Sequence, residues 1–380
     1  MNKKDLEFFK GKKVLVTGHT GFKGSWLCQI LINAGAKVTG YSLEPPTDPS
    51  LFYEAGIADK INNIIGDIRD RDKLMQVFAD VQPEIVMHLA AQPIVRESYK
   101  DPVGTYETNV MGTVNICEAV RQNPCVKSFL NVTTDKVYKN NEWCWGYRED
   151  EPLDGYDPYS NSKSCSELVT HSYINSFYCD MDVAVSTARA GNVIGGGDFA
   201  PDRIIPDCVR TAEAFVNGEG DGQIIVRNPY STRPYQHVLE PLNIYLTIVK
   251  AQYEDKSKAG FYNLGPDDCD CVTTGDIVDL FCDAWNGTTL DGSDWSEEAS
   301  NGDDAVETNK LGWINKHDGG PHEANFLKLD CSLIKSVFGW KPVWNIDKAV
   351  SMVVEFSKKR IQNPSGVAEE MDREIREFFG

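Results

Sequence analysis

The stretch VLVTGHTGFKGSWL, residues 14–27, joins a run of apolar residues to a helical pattern through a loop rich in glycine. Gly18, Gly21 and Gly24 follow the spacing GxxGxxG directly after the apolar run. Glycines in such a loop allow a tight turn and a close backbone approach, and the helix N-terminus that follows favours a pyrophosphate. A glycine-rich loop alone can be a simple turn, but strand, turn and helix in this order predict a dinucleotide site.

Two features near the loop bear on which dinucleotide binds. Dinucleotide folds usually place an acidic residue at the end of the second strand, where it binds the ribose hydroxyls. This chain has Tyr41 and Ser42 there, and the first acid is Glu44. No arginine stands there to bind a 2′-phosphate, so NAD is favoured over NADP. Lys23, inside the loop, could add positive charge toward the phosphates or face solvent.

The segment GDIRD, residues 66–70, follows the third predicted strand. Asp67 could accept a hydrogen bond from the adenine amino group, with Ile68 against the ring. The alternative is that Asp67 caps a helix that begins near Arg69.

Strand and helix patterns alternate through the first half of the chain, which predicts an α/β fold with a parallel, doubly wound sheet. From about Gly191 the pattern changes to loops rich in Gly, Pro and Asp, followed by helical segments. We therefore predict a dinucleotide-binding domain over residues 1–190 and a smaller lobe over 191–380, with parts of about 230–265 able to return to the first domain. The polar, acidic segment 286–305 is predicted to be a solvated loop.

Composition excludes several classes of partner. The 380 residues carry a net charge of -19, which repels phosphodiesters and anionic lipids, so we expect neither nucleic acid nor membrane as partner. No stretch reaches the apolar length of a membrane span, and the first residues lack the apolar core of a signal peptide. Eleven cysteines without framework spacing indicate reduced thiols and a cytoplasmic protein. The histidines suggest no metal site, since His88 has no second ligand near it in sequence.

The segment GYDPYSNSKSCSELV, residues 155–169, places Tyr159 and Lys163 four residues apart. On a helix these side chains lie one turn apart on the same face. A lysine ammonium near a phenol favours the phenolate and lowers its pKa, which makes the tyrosine a base for an alcohol proton.

An apolar run, KSFLNV, leads into Thr133, Thr134, Asp135 and Lys136. A carboxylate next to an ammonium can be a loose surface pair. The same two groups can also be an acid and a base directed at one substrate.

Together these motifs resemble the extended short-chain dehydrogenases/reductases that act on nucleotide sugars. The resemblance also rests on HLAAQ at 88–92, NVMGT at 109–113, RAGNVIGGGD at 189–198 and FGWKPVW at 338–344. It implies a Rossmann-type sheet, a discontinuous C-terminal lobe that binds the sugar nucleotide, and NAD as cofactor. It also implies a set of cofactor-binding residues: Gly18, Gly21, Phe22, Lys23, Gly24, Asp67, Ile68, Leu89, Ala90, Tyr159 and Lys163.

The same resemblance assigns catalytic roles. Tyr159 is the expected base at the sugar C4 hydroxyl, Lys163 holds the ribose and tunes Tyr159, and Thr134 binds the C4 oxygen. The sequence Thr134-Asp135-Lys136 is similar to that of the sugar-nucleotide 4,6-dehydratases, and among them those that act on CDP-glucose and supply deoxysugars for bacterial surface polysaccharides. In that reaction a C4 ketone acidifies the C5 proton before water leaves. Asp135 would be the acid at the C6 hydroxyl, and Lys136 either the base at C5 or a stabiliser of the enolate.

The resemblance also implies substrate-binding residues. Gln92 and Arg96 are expected at the sugar, Asn192 near the phosphates, and Arg203 and Arg233 as clamps on the diphosphate. Each arginine could instead pair with an acidic side chain.

His237, the remaining candidate, could face phosphate or be a buried turn histidine.

Three functions remain open from sequence. The first is 4,6-dehydration; the second is 4-epimerisation or decarboxylation of a nucleotide sugar; the third is an inert NAD-sensing protein. A product that keeps its C6 hydroxyl would exclude the first. Relatives also imply a homodimer or homotetramer, in which the helix ending in ICEAVRQ and the helix of Tyr159 form the core.

Overall fold

The computed structural model describes residues 1–287, 310–316 and 326–380. Within the predicted acidic loop 286–305, everything beyond Gly287 lies outside the described residues. The strands are β1 (Lys13–Thr17), β2 (Lys37–Ser42), β3 (Asn62–Ile65), β4 (Ile85–His88), β5 (Ser128–Thr134), β6 (Ala184–Ala190), β7 (Val193–Ile194), β8 (Gln223–Val226), β9 (Thr232–Pro234), β10 (Gln236–His237), β11 (Phe261–Leu264), β12 (Cys271–Thr273) and β13 (Gly312–Asn315).

The α-helices of the described residues are α1 (Lys3–Leu6), α2 (Phe22–Asn33), α3 (Leu51–Glu54), α4 (Arg71–Val81), α5 (Val95–Lys100), α6 (Pro102–Tyr106), α7 (Gly112–Gln122), α8 (Pro158–Ser176), α9 (Ile204–Val216), α10 (Leu239–Glu254), α11 (Thr274–Asn286), α12 (Ser332–Phe338), α13 (Ile346–Gln362) and α14 (Val367–Phe379). A π-helical segment, Glu107–Met111, joins α6 to α7.

The central sheet contains seven parallel strands from the described residues, in the order β11-β6-β5-β4-β1-β2-β3. The order reverses at β1, because the chain runs outward through β2 and β3 and then returns to place β4 on the other side of β1. Ligands of such sheets bind outside the carboxyl ends of the strands at this reversal. The predicted Rossmann-type, doubly wound α/β fold is confirmed.

Side chains of the inner strands alternate between two apolar cores. Val14 and Val16 of β1 pack with Trp26 of α2, whereas Leu15 packs on the other face with Phe78 of α4. This explains why the strands read as continuous apolar runs: helices cover both faces of the sheet.

The second half of the chain contributes to both parts of the molecule. Helix α10 packs against β5 and β6, and β11 pairs with β6 at the edge of the sheet. A separate apolar cluster, with Val209, Ile224, Phe281 and Val350 among its members, holds α9, α11 and α13 around β8 and β13. The division into domains at residue 190 stays a prediction.

Candidate active site

The glycine loop lies at the reversal point of the sheet and opens α2. Gly18 has a φ of 74° and a Cβ there would come within 2.7 Å of the backbone nitrogen of Ala90. A Cβ on Gly24 would come within 2.1 Å of the carbonyl oxygen of Gly18, so both positions require glycine for packing.

Gly21 differs from the other two glycines. It is the N-cap of α2, and a Cβ there would meet only the Gly18 carbonyl oxygen, at 3.5 Å. The protein therefore leaves space at the N-terminus of a 12-residue helix, where backbone N–H groups favour an anion. The loop fits the pyrophosphate of a dinucleotide. Phe22 and Lys23 form the first residues of the same helix.

The end of β2 carries no acid, as the sequence indicates. Ser42 instead shares a 2.6 Å hydrogen bond with Thr20 of the glycine loop. The Tyr41 hydroxyl donates to the carbonyl of Asp67 at 2.8 Å, which ties β2 to the segment after β3.

Asp67 does not cap the next helix. Helix α4 begins at Arg71 and is capped by Asp70, whose carboxylate accepts from the backbone N–H of Lys73 at 3.0 Å. The Asp67 carboxylate accepts from the Arg69 guanidinium at 2.6 Å, and this hydrogen bond lowers the pKa of Asp67. The capping interpretation of Asp67 is therefore wrong, and its carboxylate is engaged by Arg69.

The remaining cofactor candidates line the same edge of the sheet. Ile68 is buried, and a Cβ on Gly112 of α7 would come within 2.8 Å of its side chain. Leu89 and Ala90 follow β4, and their backbone N–H groups donate to Thr17 at the end of β1. This places both residues beside Gly18.

Thr134 and Asp135 stand where β5 ends and a single 3₁₀ turn, Asp135–Val137, begins. The Thr134 hydroxyl donates to the Asp135 carboxylate at 2.9 Å. Asp135 is 1% exposed, and no described residue donates a hydrogen bond to its second oxygen. Burial raises the pKa of Asp135, against the opposing charges of Lys136, Arg233 and Lys23. The carboxyl group is thus biased toward its protonated form.

Lys136 is half-buried on the same turn. The structure records neither a hydrogen bond nor an ion pair between Lys136 and Asp135 among the described residues. The two groups therefore influence each other through space only, and the charge of Lys136 opposes the rise in the pKa of Asp135 that burial causes.

Tyr159 and Lys163 are both buried near the start of α8. Burial raises the pKa of Tyr159 to about 12, and the groups that oppose this rise are the Thr134 hydroxyl and the Arg203 guanidinium. Lys163 donates to the backbone carbonyl of Val132 at 3.2 Å, and burial lowers the pKa of its ammonium to about 8. Burial thus outweighs the groups that favour the Tyr159 phenolate, among which Thr134 and Arg203 act most strongly, and the tuning of Tyr159 by Lys163 stays a prediction.

Several cationic side chains act electrostatically on the region of Asp135 and Tyr159. Burial lowers the pKa of Lys23 to about 8, and Arg203 and Lys163 lower it further by repulsion. Arg233 is buried, and its charge opposes the rise in the pKa of Asp135. Within a protein of net charge -19, such a group of cations suits an anionic ligand.

The candidate substrate residues differ in how many hydrogen bonds their side chains already make within the protein. Gln92 donates to the Thr105 hydroxyl and to the Ile94 carbonyl, and its oxygen accepts from the Ile94 N–H at 2.6 Å. It therefore shapes the loop after β4. Arg96 lies half-buried in α5, which this loop leads into.

Asn192 and Arg203 flank the loop between β6 and α9. The carbonyl of Asn192 accepts from the Gln236 N–H at 3.0 Å. Arg203 is the N-cap of α9 and pairs with the buried Asp198 at 3.3 Å. Asp198 was not apparent from sequence, because its importance arises only once the loop brings it to Arg203.

His237 lies elsewhere. Its ring is fully buried between Trp26 and Trp344, and its Nε2 is 3.4 Å from the carboxyl of Glu374 on α14. Burial lowers its pKa to about 3, so the ring is neutral. The prediction of a phosphate contact for His237 is wrong, and the alternative of a buried histidine is correct.

Asn109 is a further residue that sequence reasoning missed. It is buried in the π-helical segment and donates both to the Gln92 carbonyl and to the hydroxyl of Ser162, between Tyr159 and Lys163. The motif NVMGT contains it, but the π-helical turn that aims its amide inward leaves no simple sequence signal.

The described part of the chain contains no group of three or more His, Cys, Asp or Glu residues that could hold a metal ion. None of its helices is long and apolar enough to cross a membrane.

The reversed sheet order, the glycine loop and the buried Tyr159–Lys163 pair define an extended short-chain dehydrogenase/reductase. The chain belongs to the family described as GDP-mannose 4,6 dehydratase, whose sequence model matches residues 15–353. Over 364 residues it is 47% identical to the CDP-glucose 4,6-dehydratase of Salmonella typhimurium, covering 94% of each protein.

Two solved structures share the fold. The dTDP-glucose 4,6-dehydratase of Bacillus anthracis in complex with NAD superposes with a TM-score of 0.69 at 19% identity, covering 93% of this chain and 98% of that one. The UDP-glucose-4-epimerase of Stenotrophomonas maltophila, with bound NAD and a formylated UDP-arabinopyranose, gives a TM-score of 0.73 at 19% identity, with coverages of 92% and 99%.

Proposed function

We propose that this chain is a hydro-lyase that catalyses the NAD-dependent 4,6-dehydration of CDP-D-glucose to CDP-4-keto-6-deoxy-D-glucose. The observation that carries the proposal is Asp135, a buried carboxyl with a raised pKa beside Thr134 and Tyr159. A dehydratase needs such an acid next to the alcohol-oxidising site, whereas an epimerase does not. The 47% identical relative supports both the reaction and the cytidine nucleotide.

The glycine loop would hold the cofactor. Gly21 leaves room for the pyrophosphate at the start of α2, Lys23 brings a positive charge, and Ile68 offers an apolar surface near the adenine position. The NAD complexes of the two structural neighbours support the choice of cofactor. When bound, NAD supplies the acceptor for the hydride of C4 and the donor of the hydride that returns to C6.

Tyr159 would take the proton of the C4 hydroxyl. Thr134, whose hydroxyl favours the ionised form of Tyr159, would bind the C4 oxygen in the same step. Burial disfavours the phenolate form of Tyr159 that accepts this proton. The cationic Arg203 nearby opposes the effect of burial and favours the phenolate. Lys163, held against β5 by the Val132 carbonyl, would bind the ribose.

Asp135 would protonate the C6 hydroxyl as it leaves as water. Its second oxygen has no hydrogen-bond donor among the described residues, so it is available to the substrate. Lys136 would either take the C5 proton or stabilise the enolate by its charge.

Arg203, Arg233 and Asn192 would bind the diphosphate, and Gln92 and Arg96 would lie at the sugar. The electrostatic effects of Arg203 on Tyr159 and of Arg233 on Asp135 support this proposal. Residues 191–380 would then form most of the substrate lobe.

The chain would assemble as a homodimer or homotetramer in the cytoplasm. Val103, Tyr106 and Met111 leave apolar side chains exposed along α6 and the π-helical segment, and Leu168 does so on the adjacent α8. This strip of exposed apolar side chains suits a helical interface. All eleven cysteines are free thiols, in keeping with a reducing compartment.

Mass spectrometry of products from CDP-, dTDP-, UDP- and GDP-glucose tests the proposal. We expect loss of one water from CDP-glucose and little turnover of the other three. A product of unchanged mass would indicate an epimerase and would exclude the dehydratase. No turnover of any nucleotide sugar with NAD present would favour an inert NAD-binding protein.

A further inference from the structure

A buried ion pair lies beneath the catalytic segment and takes no part in the chemistry described above. Glu167 on α8 and Arg189 on β6 are both fully buried, and Arg189 donates to Glu167 at 3.0 Å. The same carboxylate accepts from the hydroxyl of Thr133 at 2.5 Å and from that of Thr187 at 2.7 Å. Three donors from two strands therefore hold one helical carboxylate.

These contacts connect the elements that carry the site. Thr133 is the neighbour of Thr134 at the end of β5 and pairs in register with Arg189. Arg189 also donates to the hydroxyl of Tyr138, just beyond the turn of Asp135 and Lys136, at 2.7 Å. The network thus contacts the residues on either side of the turn that carries Asp135 and Lys136.

Glu167 also stands four residues after Lys163 on α8, which places the two side chains on the same helical face. Both are buried, so water screens their charges only weakly.

We propose that Glu167 is a positioning residue: its carboxylate fixes the end of β5 against α8 and is the compensating negative charge for Lys163. This inference rests on the proposed function only for its consequence in catalysis. The charge effect on Lys163 is a property of the folded chain.

Burial and several nearby titratable groups act on the pKa of Lys163. Burial is the largest influence and lowers the pKa of Lys163 to about 8, while Glu167 raises it. His88 on β4 and Lys23 on α2 are within electrostatic range of Lys163, and its charge lowers the pKa of both. His88 is neutral and Lys23 is a cation, so neither can replace the charge of Glu167.

The pKa of Lys163 can be measured directly in the full chain without substrate. Lysine labelled with ¹³C at Cε gives NMR signals that titrate with the ammonium, and Lys163→Met identifies the signal of interest. In Glu167→Gln, where the single amide oxygen can accept from only one of the two threonines, we expect the pKa of Lys163 to fall by about one unit. In turnover assays the alkaline limb of the pH profile should move down by a similar amount, because Lys163 loses its charge at lower pH.

Arg189→Met is the matched control. It breaks the same ion pair and should lower stability, but Thr133 and Thr187 still donate to the Glu167 carboxylate and favour its charged form, so the pKa of Lys163 should not fall. The double variant Glu167→Gln/Arg189→Met removes both charges and should regain stability while keeping the lowered pKa. The double variant provides the test of the Lys163 pKa if Glu167→Gln alone does not fold.

An unchanged Lys163 titration in Glu167→Gln or in the double variant would overturn the inference and leave the pair merely structural. A fall of equal size in Arg189→Met would also overturn it, since loosened packing would then be the cause. Absence of turnover in the unmodified protein would instead count against the proposed function, and the NMR titration would still decide the role of Glu167.

Discussion

Asp135 combines near-complete burial with one carboxyl oxygen that receives no hydrogen bond from the described residues. Such a group costs stability when ionised and is easiest to explain as an acid that donates to a substrate. In the proposed function, its place beside Thr134 would let one strand end serve both the oxidised carbon and the leaving hydroxyl.

We expect Asp135→Asn to slow overall turnover of CDP-glucose by about 10²–10⁴-fold, because an amide cannot give its proton to the leaving hydroxyl. Oxidation at C4 should persist, so NADH should accumulate on the protein and be visible by its absorbance. Asp154→Asn, at an exposed position of the loop before α8, is the control and should change neither rate. Normal turnover in the Asp135 variant would remove this carboxyl from the mechanism.

The same substitution should stabilise the folded protein at neutral pH. Burial raises the pKa of Asp135 above that of an ordinary aspartate, so the folded state holds the proton more tightly than the unfolded state. Stability from this group is present below the unfolded pKa and is lost as pH rises toward the folded one.

Asn does not titrate, so the melting temperature of Asp135→Asn should exceed that of the unmodified chain by a margin that widens from pH 4 to pH 8. A gain on the order of 2 °C is expected for about 1 kcal/mol in a chain of this size. Thermal unfolding without ligands at several pH values provides the measurement. A constant or narrowing margin would mean that Asp135 is ionised at little cost.

At the scale of elements, the glycines at the start of α2 are required for different physical reasons. A Cβ on Gly24 would collide with the Gly18 carbonyl, whereas a Cβ on Gly21 would make only an ordinary contact. Packing therefore explains one glycine and leaves the other to be explained by a ligand.

We expect Gly21→Ala to fold with an unchanged melting temperature but to bind NAD at least tenfold more weakly, because the methyl group would occupy the pyrophosphate position. Gly24→Ala should instead lose about 3 kcal/mol or more of folding free energy, since backbone must move to admit the methyl group. Thermal unfolding and calorimetric titration with NAD separate the two effects. Full NAD affinity in Gly21→Ala would place the cofactor elsewhere.

The elements of the first half could be predicted because each one carries a complete local signal. The apolar run of β1, its glycines and the helical pattern of α2 stand together within 14–27. Strand β11 has no such signal: Phe261–Leu264 joins the sheet only because α10 carries the chain back to the edge beside β6.

Site residues divide in the same way. Thr134, Asp135, Tyr159 and Lys163 could be found because short motifs contain them, and the structure brings them together. The position of His237 could not be predicted from sequence, since its burial depends on Trp26 and Glu374, which lie far from it in sequence. The charge environment of Tyr159 was also beyond local patterns, because Arg203 reaches it from another loop.

At the scale of the whole molecule, charge and exposed apolar surface act in opposite directions on assembly. Each copy carries a net charge of -19, so two copies repel each other. Added salt reduces this repulsion, since the Debye length falls from about 30 Å at 0.01 M to about 8 Å at 0.15 M. A dimer held by apolar helices should therefore tighten as salt is raised over this range.

Leu168→Glu tests which surface is used. Leu168 is 51% exposed on α8, which packs against the π-helical segment, and a carboxylate buried in a helical interface would cost several kcal/mol. We expect this variant to sediment as a monomer at 0.15 M salt, while Val343→Glu, which adds the same charge at a 50% exposed site distant in sequence, stays a dimer. Both should keep the fold by circular dichroism. If Leu168→Glu remains a dimer, the strip on α6 and α8 is not the interface; if both variants dissociate, added charge alone is sufficient and the surface is not identified by the first result.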